Sequence, residues 1–345
     1  MKKHLNTLFV TTQGVYLAKE GETVVVRENR KNRLQVPIHH LDGIVCFGNV
    51  SCSPFLMGHC AENDVAVSFL TERGRFLARV NGPVSGNVLL RREQYRRADD
   101  SEKSAEIARS VLMGKLANAR NVLLRSARDH GGNPGAAAVR EAADRLGRYL
   151  KGLQGRNPPG LEAARGTEGE AAAVYFSVFD HLISANKERF RFAGRNRRPP
   201  LDEVNCLLSF VYTLLVHDVR SALESVGLDP CVGYLHRDRP GRPSLALDLM
   251  EEFRPGFADR LVLSLINRNQ VRPKGFVRSE SGAVKMDDET RKTVLVAYQN
   301  RKQEEITHPF LEERMALGLV FFAQALLLAR HLRGDMEGYP PFVWR

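Results

Sequence analysis

A histidine followed by a run of acids is the part of this chain best suited to chemistry. Gly233-Tyr-Leu-His236 is followed, eight residues later, by Ser244-Leu-Ala-Leu-Asp248-Leu-Met-Glu251-Glu252-Phe-Arg-Pro255. The pattern predicts a short strand ending at His236 and a helix opening at Ser244, a favoured N-cap residue. On that helix Asp248, Glu251 and Glu252 stand at i, i+3 and i+4 and share one face. Three carboxylates together repel one another unless something cationic sits among them. An imidazole delivered beside them makes a ligand set for a divalent metal. In a strongly basic chain, that points to metal-dependent chemistry on a polyanion.

A second acidic candidate lies upstream, at Gly166-Thr-Glu168-Gly-Glu170. Thr167 and Glu170 have the spacing of a capping box, which accounts for Glu170 structurally. Glu168 then falls in the first helical turn. There it either complements the helix dipole or points into the same pocket as His236 and Glu251. Glu252 reads as a solvated acid beside Arg254. His39, His40, His181 and His217 have no comparable acidic cluster at helical spacing.

Composition narrows the setting. At 345 residues the chain is long enough for about two domains and a full core. The 51 Lys plus Arg against 40 Asp plus Glu leave a net charge of +11 and a pI near 9.6, which favours a polyanionic partner. Five cysteines, none in a CxxC pair, argue against a disulfide framework or thiolate zinc site and for a reducing, cytoplasmic setting. The Met1-Lys-Lys start mimics a signal peptide, but Thr11, Thr12 and Gln13 cut its apolar run early. Leu317 to Ala329 contains Gln324 and falls short of the roughly 20 residues a membrane span needs. It reads as a core helix, and no membrane association is expected.

The elements that must position the acids follow from periodicity. Runs at 24–26, 43–47, 65–70 and 76–80 read as strands, punctuated by Gly14, Gly21, Gly43, Gly74 and Gly82-Pro83. Ser53-Pro54 opens one helix among them. From Asn87 the period turns helical, with a long amphipathic segment over 99–129 and a helix over 140–153. Further helices are expected near 168–186, 202–226, 245–253, 256–268, 288–304 and 310–333, with a hairpin between 274 and 287. The fold class is α+β. A small β-strand domain (1–90, serving dimerisation or as a scaffold) precedes a larger all-α helical domain (91–345) that carries the metal site.

Basic residues cluster near the acids. Lys187, Arg189, Arg191, Arg195, Arg197 and Arg198 precede them, and Arg237, Arg239 and Arg242 lie in the intervening loop. Arg254, Arg272 and Lys274 follow, with Arg91-Arg92, Arg96-Arg97, Arg268 and Arg278 elsewhere. Neutralising phosphates gives sequence-independent, salt-sensitive affinity for double-stranded DNA. Phe190 and Phe192 either stack on bases or anchor the arginine loop to the core.

Several stretches carry a family resemblance. They are Pro37-Ile-His-His-Leu-Asp-Gly-Ile-Val45, Ala66-Val-Ser-Phe-Leu-Thr-Glu-Arg-Gly-Arg-Phe76 and Gly86-Asn-Val-Leu-Leu-Arg-Arg-Glu-Gln-Tyr95. Glu168-Gly-Glu-Ala-Ala, Asn205-Cys-Leu-Leu-Ser-Phe-Val-Tyr212, Gly233-Tyr-Leu-His236 and Asp248-Leu-Met-Glu-Glu-Phe-Arg-Pro255 complete the set. Together they resemble the CRISPR-associated integrase of spacer acquisition, a metal-dependent DNA endonuclease, and most of all its subtype I-C members. The resemblance covers essentially the whole chain. It implies a metal held by Glu168, His236 and Glu251, with Asp248 close to the site as a fourth catalytic group. Where this chain has Glu251 the family often has Asp, and both can ligate. The resemblance also implies a homodimer and a complex with a small CRISPR-associated partner protein.

One imidazole and two carboxylates suit Mg²⁺ or Mn²⁺. The expected reaction is metal-assisted attack on a DNA phosphodiester, inserting short fragments as new spacers into a CRISPR array in a prokaryotic cytoplasm. A 3′ hydroxyl nucleophile gives strand transfer and water gives nuclease activity. With the acids committed to the metal there is no obvious general base for water, which favours transesterification. The alternative is a non-catalytic basic DNA-binding scaffold. A hydrolase of small phosphate esters or a zinc enzyme fits less well, since there is no HExxH and no thiolate set.

Overall fold

The computed structural model describes residues 6–41, 43–63, 65–72, 76–80, 82, 88–129, 131–155 and 157–344. Gly74 and Pro83 lie outside these, as do Asp42, Arg73, Arg75, Gly86 and Asn87 of the quoted motifs. The chain divides into two compact units, Met1–Gly86 with Lys302–Glu304, and Asn87–Arg301 with Glu305–Arg345.

The first unit holds strands β1 (Thr7–Val10), β2 (Tyr16–Glu20), β3 (Thr23–Glu28), β4 (Lys31–Pro37), β5 (Gly43–Phe47), β6 (Ser51–Cys52), β7 (Ala66–Leu70) and β8 (Phe76–Val80). One sheet runs β1-β5-β7-β8, with β8 antiparallel to an otherwise parallel set. The other runs β4-β3-β2-β6 and is antiparallel except for the short β2–β6 pair. Helix α1 (Pro54–Glu62) packs on β2 and β7, its N-terminus capped by Ser53 with Pro54 at the first position. Val10, Ile44, Cys46 and Val67 from one sheet share a core with Leu17, Val24 and Val26 from the other and Leu56 and Cys60 of α1. The expected strands at 43–47 and 76–80 form with those bounds. β1, β2 and β4 escape periodicity because few of their residues alternate cleanly between core and solvent.

The second unit contains α2 (Val88–Asp99), α3 (Ser101–Asp129), α4 (Ala136–Leu153), α5 (Leu161–Ser177) and α6 (Glu203–Ser225). After them come α7 (Ser244–Met250), α8 (Arg260–Asn267), α9 (Asp288–Gln303) and α10 (Leu317–Arg333). It is not purely helical. Antiparallel pairs β9 (Phe276–Arg278) with β10 (Val284–Met286) and β11 (Glu305–Thr307) with β12 (Arg314–Ala316) flank α9. The first pair is the expected hairpin; the second replaces what periodicity reads as the start of the last helix. α10 is the expected core helix. α6 is long and apolar enough to cross a bilayer, yet 56% of its apolar window is buried inside the protein.

Long α3 is the spine, packed against α4, α5 and the turn after α7. Its buried stripe is apolar apart from a few polar positions, Lys115 and Asn118 among them. A Cβ at Gly114 would stand 3.0 Å from Glu252 Cγ and from Pro341 Cβ, so glycine here admits the acid-bearing turn and the C-terminal tail onto α3.

Candidate active site

The site is built where α7 stops. Pro255 has no N–H to donate and disfavours helix at the residue before it, so α7 ends at Met250 and a π-type turn spans Arg254–Asp259. Such turns concentrate at functional sites. Between them the backbone tightens to i→i−3 bonds, Glu251 N to Asp248 O and Phe253 N to Met250 O, each 3.0 Å. In that tighter winding residues three apart eclipse. Glu251 therefore stays in line with Asp248, while Glu252 turns away.

Asp248 does for the histidine loop what a neighbouring strand would have done. Its Oδ2 accepts from Tyr234 N at 2.6 Å and Leu235 N at 3.0 Å. Its Oδ1 accepts from His236 N at 2.8 Å and faces His236 Nδ1 at 2.6 Å. Gly233–His236 is thus an irregular turn and not the expected strand. An ionised carboxylate only accepts, so the shared proton belongs to Nδ1, and Nε2 is aimed at Glu251 Oε1, 3.8 Å away. A Cβ at Gly233 would meet Ser244 Cβ at 2.7 Å and Asp248 Oδ2 at 3.0 Å, so no side chain fits there. From α5, Arg165 donates to Leu235 O at 2.6 Å and Tyr234 O at 3.2 Å and ties the loop to that helix. Ser244 is the first residue of α7, preceded by Pro243, and its hydroxyl donates to Arg237 O at 3.2 Å rather than capping the helix.

Glu168 and Glu251 come together across α5 and the α7 turn, with Lys115 of α3 between them. Lys115 Nζ pairs with Glu168 Oε1 and lies 2.8 Å from Glu251 Oε2. Arg254 lies 2.7 Å from Glu251 Oε1. Glu251 is 1% exposed, and neither of its oxygens takes an aligned hydrogen bond, so the two cations approach it as charges. Burial alone would raise its carboxyl, but Arg254, Lys115 and His236 pull it down to about 2. Burial favours neutral Lys115, yet the two glutamates hold its ammonium above the usual lysine range.

The expected cluster of three acids is therefore corrected. Asp248 serves the histidine loop and Glu251 faces Lys115. Glu252, expected in solvent, is fully buried and accepts from Tyr339 Oη at 2.8 Å, Gln324 Nε2 at 3.1 Å and Phe342 N at 2.7 Å. The capping box is also corrected. α5 opens seven residues before Glu168, behind Gly160, and Thr167 Oγ1 donates to Ala163 O at 3.0 Å in mid-helix. Glu168 thus projects from the helix body, not from its first turn.

Among the described residues no three His, Cys, Asp or Glu side chains close on a common point tightly enough to grip an ion. The donor set nevertheless fits one. Two carboxylates already share a cation, both Glu251 oxygens are sealed from solvent and faced by cations, and His236 Nε2 stands 3.8 Å from Glu251 Oε1. Oxygen donors with one nitrogen suit Mg²⁺ or Mn²⁺.

Beside the acids is a cavity of about 180 Å³, lined by Lys115, Arg195, Arg197 and Arg254 on its cationic side and by Ala171, Ala172 and Phe176 on its apolar side. Buried Asp259 forms part of its wall, held by Tyr175 Oη at 3.0 Å and Tyr212 Oη at 2.6 Å; burial pushes its carboxyl up to about 6. Arg195 also hydrogen-bonds Asn205 Oδ1 at 2.6 Å and Ser209 Oγ at 3.1 Å, so it is a wall of the cavity more than a mobile arm. Arg191, Arg197, Arg198, Arg239, Arg272 and Lys274 are exposed, and Arg242 is half-buried. Arg189 reaches Glu203 only at 4.0 Å, and Arg237 pairs with Glu162 at 2.7 Å. Phe190 and Phe192 are buried among Phe276, Phe176 and Phe179, so they anchor the loop and do not offer stacking faces.

Lys115, Arg165 and Asp259 were not singled out by sequence reasoning. Lys115 had a legible signal: it occupies the apolar stripe of Val111, Leu112, Leu116 and Ala119, where a lysine stays charged only with a partner.

Residues 8–300 match the family model described as CRISPR associated protein Cas1. The chain belongs to the Cas1 family. It is 60% identical over 345 residues to a CRISPR-associated endonuclease Cas1 of Chlorobaculum tepidum, with both chains covered in full. A solved Cas1 protein from Thermotoga maritima superposes with a TM-score of 0.81 at 26% identity, covering 95% of this chain and 97% of the other. A casposase bound to its integration product shares the fold, with a TM-score of 0.84 at 23% identity over 99% and 94% of the two chains. The β-strand unit followed by a larger helical unit is the architecture of this family.

Proposed function

We propose that this Cas1-family chain is a divalent-metal-dependent DNA endonuclease and integrase that joins short DNA fragments into a CRISPR array by transesterification. The reading rests above all on one observation. Two acids from separate elements share a single cation opposite a histidine that Asp248 holds in one tautomer. Membership of a family with endonuclease relatives adds to it, as does the fold shared with a casposase solved on its integration product.

Glu168, His236 and Glu251 would hold Mg²⁺ or Mn²⁺, which when bound polarises a phosphoryl oxygen and steadies charge on the leaving oxygen. Lys115, Arg195, Arg197 and Arg254 draw a phosphate into the adjoining cavity. Asp248 keeps the imidazole aimed. Asp259 in the cavity wall is held by two tyrosines, and with Glu168 and Glu251 given to the metal this favours a 3′ hydroxyl over a water as nucleophile.

The exposed Arg191, Arg197, Arg198, Arg239, Arg272 and Lys274, with Arg189, Arg237 and Arg242, form the proposed DNA-contacting surface. A homodimer, a small CRISPR-associated partner, a subtype I-C origin and a prokaryotic cytoplasmic setting belong to the same proposal.

The test is strand transfer of duplex fragments into a repeat-bearing plasmid, with and without Mn²⁺. Products that require both metal and Glu168 support the proposal. The rival scaffold reading draws on Lys115 and Arg254, which neutralise the acids without any metal. It expects DNA binding that weakens with salt and no product under either condition.

Asp248→Asn should keep the fold but cost roughly 10- to 100-fold in strand transfer, because an amide can present a donor to Nδ1 and release the tautomer. Unchanged rates for this variant at saturating Mn²⁺ would remove Asp248 from the site.

A further inference from the structure

Among the described residues, Lys115 contacts both proposed metal-binding acids at once. Its Nζ touches Glu168 and sits 2.8 Å from Glu251, while its stem is buried in the spine helix. Glu251 keeps a second cation, Arg254, on its other oxygen. The two acids are thus already balanced by two positive charges. A divalent ion entering here with Lys115 still in place would meet an ammonium at the point between the two carboxylates that it must occupy.

Given a divalent ion at this site, as proposed above, we infer that Lys115 is a tethered stand-in for that ion. Its ammonium keeps Glu168 and Glu251 facing each other in the metal-free protein and withdraws when metal binds. The cavity that Lys115 already lines receives the withdrawn ammonium, and three arginines line it as well. Like charges make the withdrawal unfavourable unless an anion comes too. A DNA phosphate in the cavity supplies that anion. Metal and DNA therefore bind as coupled ligands, each raising the affinity for the other by the same factor. The ammonium acts as a lock that keeps the site from loading metal before its substrate is present.

The experiment is Mn²⁺ binding followed by electron paramagnetic resonance, with and without a short DNA duplex, on wild type, Lys115→Met, Lys115→Gln and Glu251→Gln. Thermal unfolding in EDTA and in Mn²⁺ runs alongside, to show which variants are folded. Wild type should bind Mn²⁺ weakly alone and at least about tenfold more tightly with DNA, for 1.4 kcal/mol of coupling. Lys115→Met and Lys115→Gln should bind Mn²⁺ tightly without DNA, lose most of the DNA-dependent gain, and show a larger Mn²⁺-induced rise in Tm than wild type.

Folded Lys115 variants that bind Mn²⁺ no more tightly than wild type, with binding still lost in Glu251→Gln, would overturn the lock and leave the metal site standing. Absence of Mn²⁺ binding in every folded protein, with DNA or without, would overturn the metal site and the lock together.

Discussion

Glu168→Gln and Glu251→Gln should each abolish metal-dependent strand transfer, by roughly 10³-fold or more, while DNA binding measured in EDTA at low salt stays within about threefold. The size follows from removing several kcal/mol of charge stabilisation, at about 1.4 kcal/mol for each factor of ten. DNA affinity survives because it is carried by arginines outside the acid pair. The two variants differ in stability. Glu168 is 29% exposed and its loss leaves Lys115 paired with Glu251, so Tm moves little. Glu251 is sealed between Lys115 and Arg254, and its loss strands the largely buried Arg254 while Lys115 keeps Glu168. Breaking such a buried pair from one side costs about 3–5 kcal/mol. His236→Ala belongs with Glu168 in stability and with both acids in activity. Single-turnover strand transfer beside thermal melts separates these effects. A Glu168→Gln enzyme that retains integration in Mn²⁺ removes that acid from the ligand set.

Removing the Glu252 carboxylate should destabilise the back of the site. Glu252 gathers Gln324, Tyr339 and the Phe342 N–H. Asn118 bonds both Glu252 O at 2.7 Å and Phe342 O at 2.8 Å, and Trp344 N returns to Asn118 Oδ1 at 2.6 Å. The C-terminal tail is thereby bolted to the same turn that presents Glu251. Glu252→Ala leaves the Tyr339 hydroxyl and the Phe342 N–H without their acceptor and a hole besides, costing roughly 3–5 kcal/mol. Burial pushes this carboxyl up to about 8 from a value of 4.5. Between those two pH values the folded protein keeps a proton that the unfolded chain releases. Stability from this group is therefore full below pH 4.5, falls as pH rises, and is gone above pH 8. The slope is on the order of 1 kcal/mol per pH unit. Glu252→Gln, neutral and of the same shape, should match wild type near pH 4.5, pull ahead as pH rises, and exceed its Tm by several degrees at pH 9. Parallel Tm curves for the two proteins across that range would contradict the buried neutral acid.

Most of the helical unit was legible because its helices carry their own punctuation. Asp202 caps α6 as its position suggests, and the breaker Gly131-Gly-Asn-Pro-Gly135 separates α3 from α4. The start of α5 was missed because Thr167 and Glu170 have the spacing of a capping box, and Gly166 and Gly169 disfavour helix. Each glycine inside a helix costs about 1 kcal/mol against alanine, and packing against α3 and α4 outweighs it. The edge strand β4 (Lys31–Pro37) is largely exposed, so it lacks the two-residue alternation that reveals a strand.

At the site, the pairing of His236 with an acid of the following helix was visible in spacing, but the division of labour among the acids was not. Local helix winding decides which of Asp248, Glu251 and Glu252 meet the imidazole, and a proline several residues downstream sets that winding. Lys115 lies 53 residues from Glu168 along the chain, and no local pattern links them.

The most direct measurement is anomalous diffraction at the manganese edge from crystals of the protein with a DNA duplex and Mn²⁺. The expected result is one peak about 2 Å from Glu168, His236 Nε2 and Glu251, with Lys115 drawn back from both acids. A manganese peak away from these three side chains, in crystals whose protein integrates DNA in the same buffer, would contradict the site.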